Sequence, residues 1–150
     1  MLHRARAEKG SLATMRAAAV ASLLVFALLA GCGGGSASPE DTVSAAISGL
    51  SEGDEEKVCA QLAPEGERRL LVVLRDNPLG LVVEASTCEE AITKVHAKLT
   101  KPIRAALEDG EVDDAKVTGD AAVVHVPGFG MDVELKKLAE KWKITGGLLN

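Results

Sequence analysis

The sequence contains no tyrosine, one tryptophan and two phenylalanines, so aromatics make up only 2 % of its 150 residues. A buried phenol is therefore not available to stabilise a developing oxyanion. There is no Cys-x-x-Cys pair and no histidine-rich cluster, so the ligand spacing of a structural metal site is missing. No serine sits in a nucleophile elbow, and no glycine loop has phosphate-binding spacing. Glu111, Asp113 and Asp114 lie close together but lack the spacing of a calcium loop, and read as a solvated strand edge. No cofactor and no metal is implied by this pattern.

What is present begins at the N-terminus. Arg4, Arg6, Lys9 and Arg16 form a basic leader, followed by an uncharged apolar run from Ala17 to Ala30. Basic, then apolar, then small is the order of a secretory signal peptide. The run is 14 residues long, short of the ~20 that span a bilayer as a helix. Its closing tetrapeptide, Leu29-Ala30-Gly31-Cys32, resembles the lipobox of bacterial lipoproteins. The resemblance implies that Cys32 receives diacylglycerol on its thiol and becomes the mature N-terminus after cleavage behind Gly31. An ordinary signal peptide with a coincidental cysteine and a lone transmembrane anchor are the rivals. Met15 is an alternative start to Met1.

Residues 1–31 are thus expected to be a signal peptide, 32–38 a lipidated tether and 39–150 a folded domain. From Cys32 onward there are 13 Lys and Arg against 21 Asp and Glu. That acidity disfavours nucleic acid as a partner and disfavours a polybasic grip on anionic lipid. Gly33-Gly34-Gly35-Ser36-Ala37-Ser38 reads as a flexible coil that holds the domain off the membrane. The roughly 119 residues that remain suit one domain with its own core. Export would place Cys59 and Cys88 in an oxidising compartment, where a pair reads as a disulfide. Two free buried thiols and a metal pair remain as alternatives.

Along the domain, Ser38-Pro39-Glu40-Asp41 signals a helix start, and Val43, Ala46, Ile47 and Leu50 recur at helical spacing. Gly49 to Gly53 is expected to end it, and a short helix follows from Asp54, with the Glu52–Glu56 acids at its start. Pro64-Glu65-Gly66 reads as a break before a third helical piece, Arg68 to Leu74. Asn77 to Gly80 reads as a loop, and Leu81-Val82-Val83 is not assigned. Ser86 with Glu89 matches a capping box, opening a helix with Cys88, Ile92, Val95 and Leu99 on one stripe. Pro102 breaks it, leaving a further turn at Ile103 to Leu107. Beyond Gly110, Val112–Thr118 and Ala121–Val126 read as strands about a Gly119-Asp120 turn, and Met131–Lys137 and Lys141–Thr145 alternate at period two, the mark of strands with one buried face. Helices first and a meander after give an α+β class, N-terminal helices packed against a curved antiparallel sheet.

This order is similar to the nuclear-transport-factor-2-like superfamily, and more narrowly to its small actinobacterial lipoproteins. The residues that carry the likeness are Ala45-Ala46-Ile47 with Gly53-Asp54 and Lys57-Val58-Cys59, then Thr87-Cys88-Glu89-Glu90-Ala91. Val117-Thr118-Gly119-Asp120-Ala121-Ala122-Val123 and the last strand Lys141-Trp142-Lys143-Ile144 complete it. The likeness implies a cone-shaped domain whose sheet curls around the helices to leave a pocket at its wide end. Pro127-Gly128-Phe129-Gly130 departs from the pattern and puts the register at that junction in question.

In relatives such as ketosteroid isomerases the pocket is catalytic and holds a base inside. The candidate here is His125, with Asp132 on the next strand as its partner. The competing reading is a surface histidine, and His96, beside Lys94 and Lys98, reads the same way. Trp142 reads as core in preference to a ligand platform. The apolar run Leu79 to Val83 is either a lining of the pocket mouth or core. The resulting expectation is a membrane-anchored, extracytoplasmic, non-enzymatic domain that binds a small apolar ligand or an envelope protein. An isomerase or cyclase, and an interaction module without ligand, are the alternatives.

Overall fold

A computed structural model describes residues 37–76 and 82–149. The leader, Cys32, Gly33 to Ser36 of the tether, the Asn77–Gly80 loop and Leu81 lie outside the described residues. The order is α1 (Pro39–Glu52), α2 (Glu55–Cys59), α3 (Pro64–Asp76), α4 (Cys88–Lys98), α5 (Lys101–Glu108), then β1 (Lys116–Thr118), β2 (Ala121–Val126), β3 (Met131–Leu138) and β4 (Lys141–Gly146). The class is α+β, with five helices and an open four-stranded antiparallel sheet in the order β1-β2-β3-β4.

Local chemistry explains the helix ends. The Ser38 hydroxyl accepts from the Asp41 N–H, while the Asp41 carboxylate accepts from the Ser38 N–H. This reciprocal cap satisfies two donors that have no partner inside the helix. Asp54 caps α2 by accepting from the Lys57 N–H, and Glu55 and Glu56 then sit in the first turn. Glu52 belongs instead to the end of α1, where it pairs with Lys57 at 3.1 Å.

Three expectations need correction here. Pro64 does not break the chain but begins α3, at the position where its missing N–H costs nothing. The cap of α4 is Thr87 and not Ser86: the Thr87 hydroxyl accepts from the Glu90 N–H, and Glu90 reaches back to the Ser86 N–H. The frame that wins is the one that turns Cys88, Ile92 and Val95 inward. After Pro102 there are two turns of helix, because the proline occupies the N-terminus of α5 and does not interrupt it.

In the sheet, β2 and β3 follow the alternation, whereas β4 does not and is buried throughout from Ile144 to Gly146. Ala122, Val124 and Val126 face the helices with Met131, Val133, Leu135 and Ile144, and each is no more than 8 % exposed. β1 is shorter than the Val112–Thr118 pattern predicts, since Val112 to Ala115 is bound only at points, by the Asp113 N–H to the His125 carbonyl and the Ala115 N–H to Glu40. Pro127 to Gly130 makes a regular hairpin loop, closed by the Val126–Met131 pair. The irregularity lies elsewhere, between Glu134 and Leu135 opposite β4.

α1 is the centre of the packing, touching β2, β4, α2, α4 and α5. Leu62 forms a parallel bridge with Ile144. Ser36–Asn150 is a compact unit. It encloses the whole described core and carries its own caps, so it has what a domain needs to fold by itself.

Candidate functional site

The cysteines come together first. Cys59 ends α2 and Cys88 begins α4, their Cα atoms are 5.9 Å apart, and a disulfide joins them. Both sulfur-bearing residues are buried, so the bridge is part of the core and not an exposed redox element. The metal-pair and free-thiol alternatives for these two residues fall away.

His125 and Asp132 are direct cross-strand partners on β2 and β3, with Nδ1 2.7 Å from Oδ1. The Nδ1–H donates to the carboxylate. Alternation places both side chains on the face turned away from the helices, because Val124, Val126, Met131 and Val133 take the inner face. Their side chains are 43 % and 70 % exposed. The structure therefore brings the two together, but on the outside of the sheet. The space that a pocket base would face, inside the sheet, is filled by aliphatic side chains.

Asp132 does border an open groove of about 560 Å³ between α3 and the β3–β4 edge. Three glycines shape it. A Cβ on Gly66 would strike the Ile144 carbonyl, so glycine lets the first turn of α3 lie against the β4 backbone. Gly146 leaves room for the ion pair of Arg69 with Glu134 at 3.0 Å; a Cβ there would stand 2.7 Å from the guanidinium. Gly147, at φ +80°, lies where any Cβ would meet the Asp132 carbonyl. The walls are Arg68, Arg69, Val72 and Val73 on one side and Asp132 and Glu134 on the other. The groove is open to solvent and mixed in polarity, and it resembles a track for an extended chain more than a cavity for an apolar molecule.

His96 has a role that sequence reasoning missed. Its Nδ1–H donates to the Leu50 carbonyl at 3.1 Å, and its ring covers Gly53. It thus closes the C-terminal end of α1 from α4, taking a carbonyl that has no intrahelical partner. Trp142 is half-buried and packs on the core. Val83 is buried and Val82 exposed, so the described part of the unassigned apolar run is split between core and surface. Glu111, Asp113 and Asp114 are solvated, but they precede β1 and are not part of a strand edge.

The resolved electrostatic shifts are those of local partners. The Ala115 N–H, donating to Glu40 at 2.8 Å, holds that carboxyl below its ordinary range. The Ser48 hydroxyl and Lys57 do the same for Glu52, and Lys94 with the Ser86 N–H for Glu90. Glu140 raises Lys137 and is itself lowered by it. Each of these carboxylates and this lysine is held in its charged form, which suits surface ion pairs and not general acid–base work. No group of three or more metal-ligating side chains occurs among the described residues. No known protein family, curated protein or solved structure matches the chain.

Proposed function

We propose that this protein is a lipid-anchored, extracytoplasmic binding domain without enzymatic activity, whose partner is an extended segment of another envelope protein seated in the groove between α3 and the β3–β4 edge. The basic leader, the short apolar run and Leu29-Ala30-Gly31-Cys32 support the anchor. The buried Cys59–Cys88 bridge supports an oxidising compartment. The observation that carries the binding mode is the open, glycine-floored groove, set against a helix–sheet interface filled with aliphatic side chains. That contrast favours a polypeptide partner over a small apolar ligand.

The helices-then-meander order also fits a nuclear-transport-factor-2-like cone, in this reading one whose interior is filled. A photo-reactive residue in place of Val72, at the groove wall, tests the binding mode in intact cells. The expected result is one discrete crosslinked partner, lost when Arg69→Glu reverses the wall. Label spread over many proteins, or insensitive to Arg69→Glu, would overturn it. Fatty-acid labelling that vanishes in Cys32→Ser tests the anchor separately. The His125–Asp132 hydrogen bond favours one second reading, an isomerase or cyclase. That reading requires turnover that His125→Ala abolishes with folding intact.

A further inference from the structure

The acidity of the chain beyond Gly31 is not spread evenly. On the outer face of the sheet, the register sets Lys116 opposite Val123, then Ala121 opposite Lys136 and Lys136 opposite Lys143. Lys141 pairs with Leu138 on the same face. Four lysines from β1, β3 and β4 thus share one surface, with Val123 and Leu138, each 38 % exposed, between them.

Of the acids on that face, Glu134 pairs with Arg69 and Asp132 accepts a hydrogen bond from His125, while Asp113 and Asp114, exposed just before β1, add negative charge beyond the Lys116 end. Of the acids in the two adjoining turns, Glu140 is held by Lys137, and Asp120 adds one negative charge at the margin. Lys143 reaches the Ala60 carbonyl. Lys116, Lys136 and Lys141 are exposed and have no ion-pair partner among the described residues.

We propose that this lysine face docks on an anionic lipid bilayer, turning the outer side of the sheet toward the headgroup phosphates. The basic residues of the stripe are all lysines, compact charges on long aliphatic stems, which suit diffuse headgroup charge better than fixed bidentate recognition. Exposed aliphatic side chains between lysines suit a headgroup layer and gain nothing from a hydrated polyanion. At physiological ionic strength charges are screened over about 8 Å, so a bilayer against this face meets its lysines while the acids of the helical side are screened. The biological location rests on the proposed anchor at Cys32; the lipid preference belongs to the domain alone.

The test uses Ser36–Asn150 without an anchor, cosedimented at an ionic strength of about 0.15 M with phosphatidylcholine vesicles and with vesicles of phosphatidylcholine and phosphatidylglycerol. Each lysine at an anionic surface contributes about fivefold in partitioning, so the three unpaired lysines predict a preference of about a hundredfold for the anionic vesicles. Lys116→Gln/Lys136→Gln/Lys141→Gln should remove most of it, and so should raised salt. Removing the same charge from the helical side, with Lys94→Gln/Lys98→Gln/Lys101→Gln, should leave it in place. Equal partitioning on the two vesicles, or equal losses in the two triple variants, overturns the proposal. A chain that fails to acquire lipid at Cys32 in cells would remove the anchor and leave the vesicle result untouched.

Discussion

Breaking the Cys59–Cys88 bridge should produce a large and separable loss of stability. The bridge spans 29 residues of chain, and chain-entropy reasoning for a loop of that length gives about 3.6 kcal/mol. For a domain of this size, with an unfolding entropy of about 2 cal/mol/K per residue, that corresponds to a fall in Tm of about 15 °C. Cys59→Ala/Cys88→Ala is the cleaner perturbation, because serine would place a hydroxyl among buried apolar groups. Thermal melts of Ser36–Asn150 followed by circular dichroism would compare oxidised wild type, reduced wild type and the double alanine variant. The last two should melt close together and well below the first. If the double variant melts within about 3 °C of oxidised wild type, the loop-closure reasoning fails. If reductant alone has no effect while the variant is strongly destabilised, the cysteines matter by packing and not by the bond.

Other expectations follow from single contacts. Gly66→Ala drives a methyl group into the Ile144 carbonyl and should cost about 1–3 kcal/mol in urea unfolding. His96→Ala removes the bond to the Leu50 carbonyl and uncovers Gly53, a loss of about 1–2 kcal/mol in the same assay. His125→Ala breaks an exposed pair and should change stability by less than about 1 kcal/mol. Glu40 is held below its ordinary 4.5 in the folded state, so its contribution is present above the unfolded value and is lost as pH falls through the folded one. The stability gap between wild type and Glu40→Gln should therefore be full near about pH 7 and close in acid. A gap that is constant with pH would show that the Ala115 contact does not depend on the charge.

Elements that rest on neighbours in sequence were legible before any coordinates. Ser38-Pro39-Glu40-Asp41 carries the whole start of α1, and the Cys88, Ile92, Val95 and Leu99 stripe fixes which side of α4 is buried. The same Pro-acid signal stands at Pro64-Glu65 with Glu67 and marks the start of α3. Choosing Thr87 over Ser86 was harder, because each is followed three residues later by a glutamate and only the burial of α4 decides between them. Strand order made Asp132 the nearest candidate partner of His125, but neither their meeting nor their face was legible; the cross-strand register supplies the first and the filled helix–sheet interface the second. The groove depends on Gly66 meeting β4 across a separation that no local pattern reports. Gly146-Gly147 at the end of a strand was its one visible sign. The role of His96 depends on a carbonyl 46 residues away and has no sequence signature.

The bridge between Leu62 and Ile144 bears on how the domain behaves among copies of itself. The Ala63 N–H donates to the Ile144 carbonyl and the Ile144 N–H to the Gln61 carbonyl, so the middle of the β4 edge is already bonded. The other edge is β1, three residues long and carrying Lys116. A second chain that tried to extend the sheet there would gain few backbone bonds and would have to accommodate a lysine. At high local density an open strand edge is a route to aggregation. Here that route is short on one side of the sheet and capped at the middle of the other.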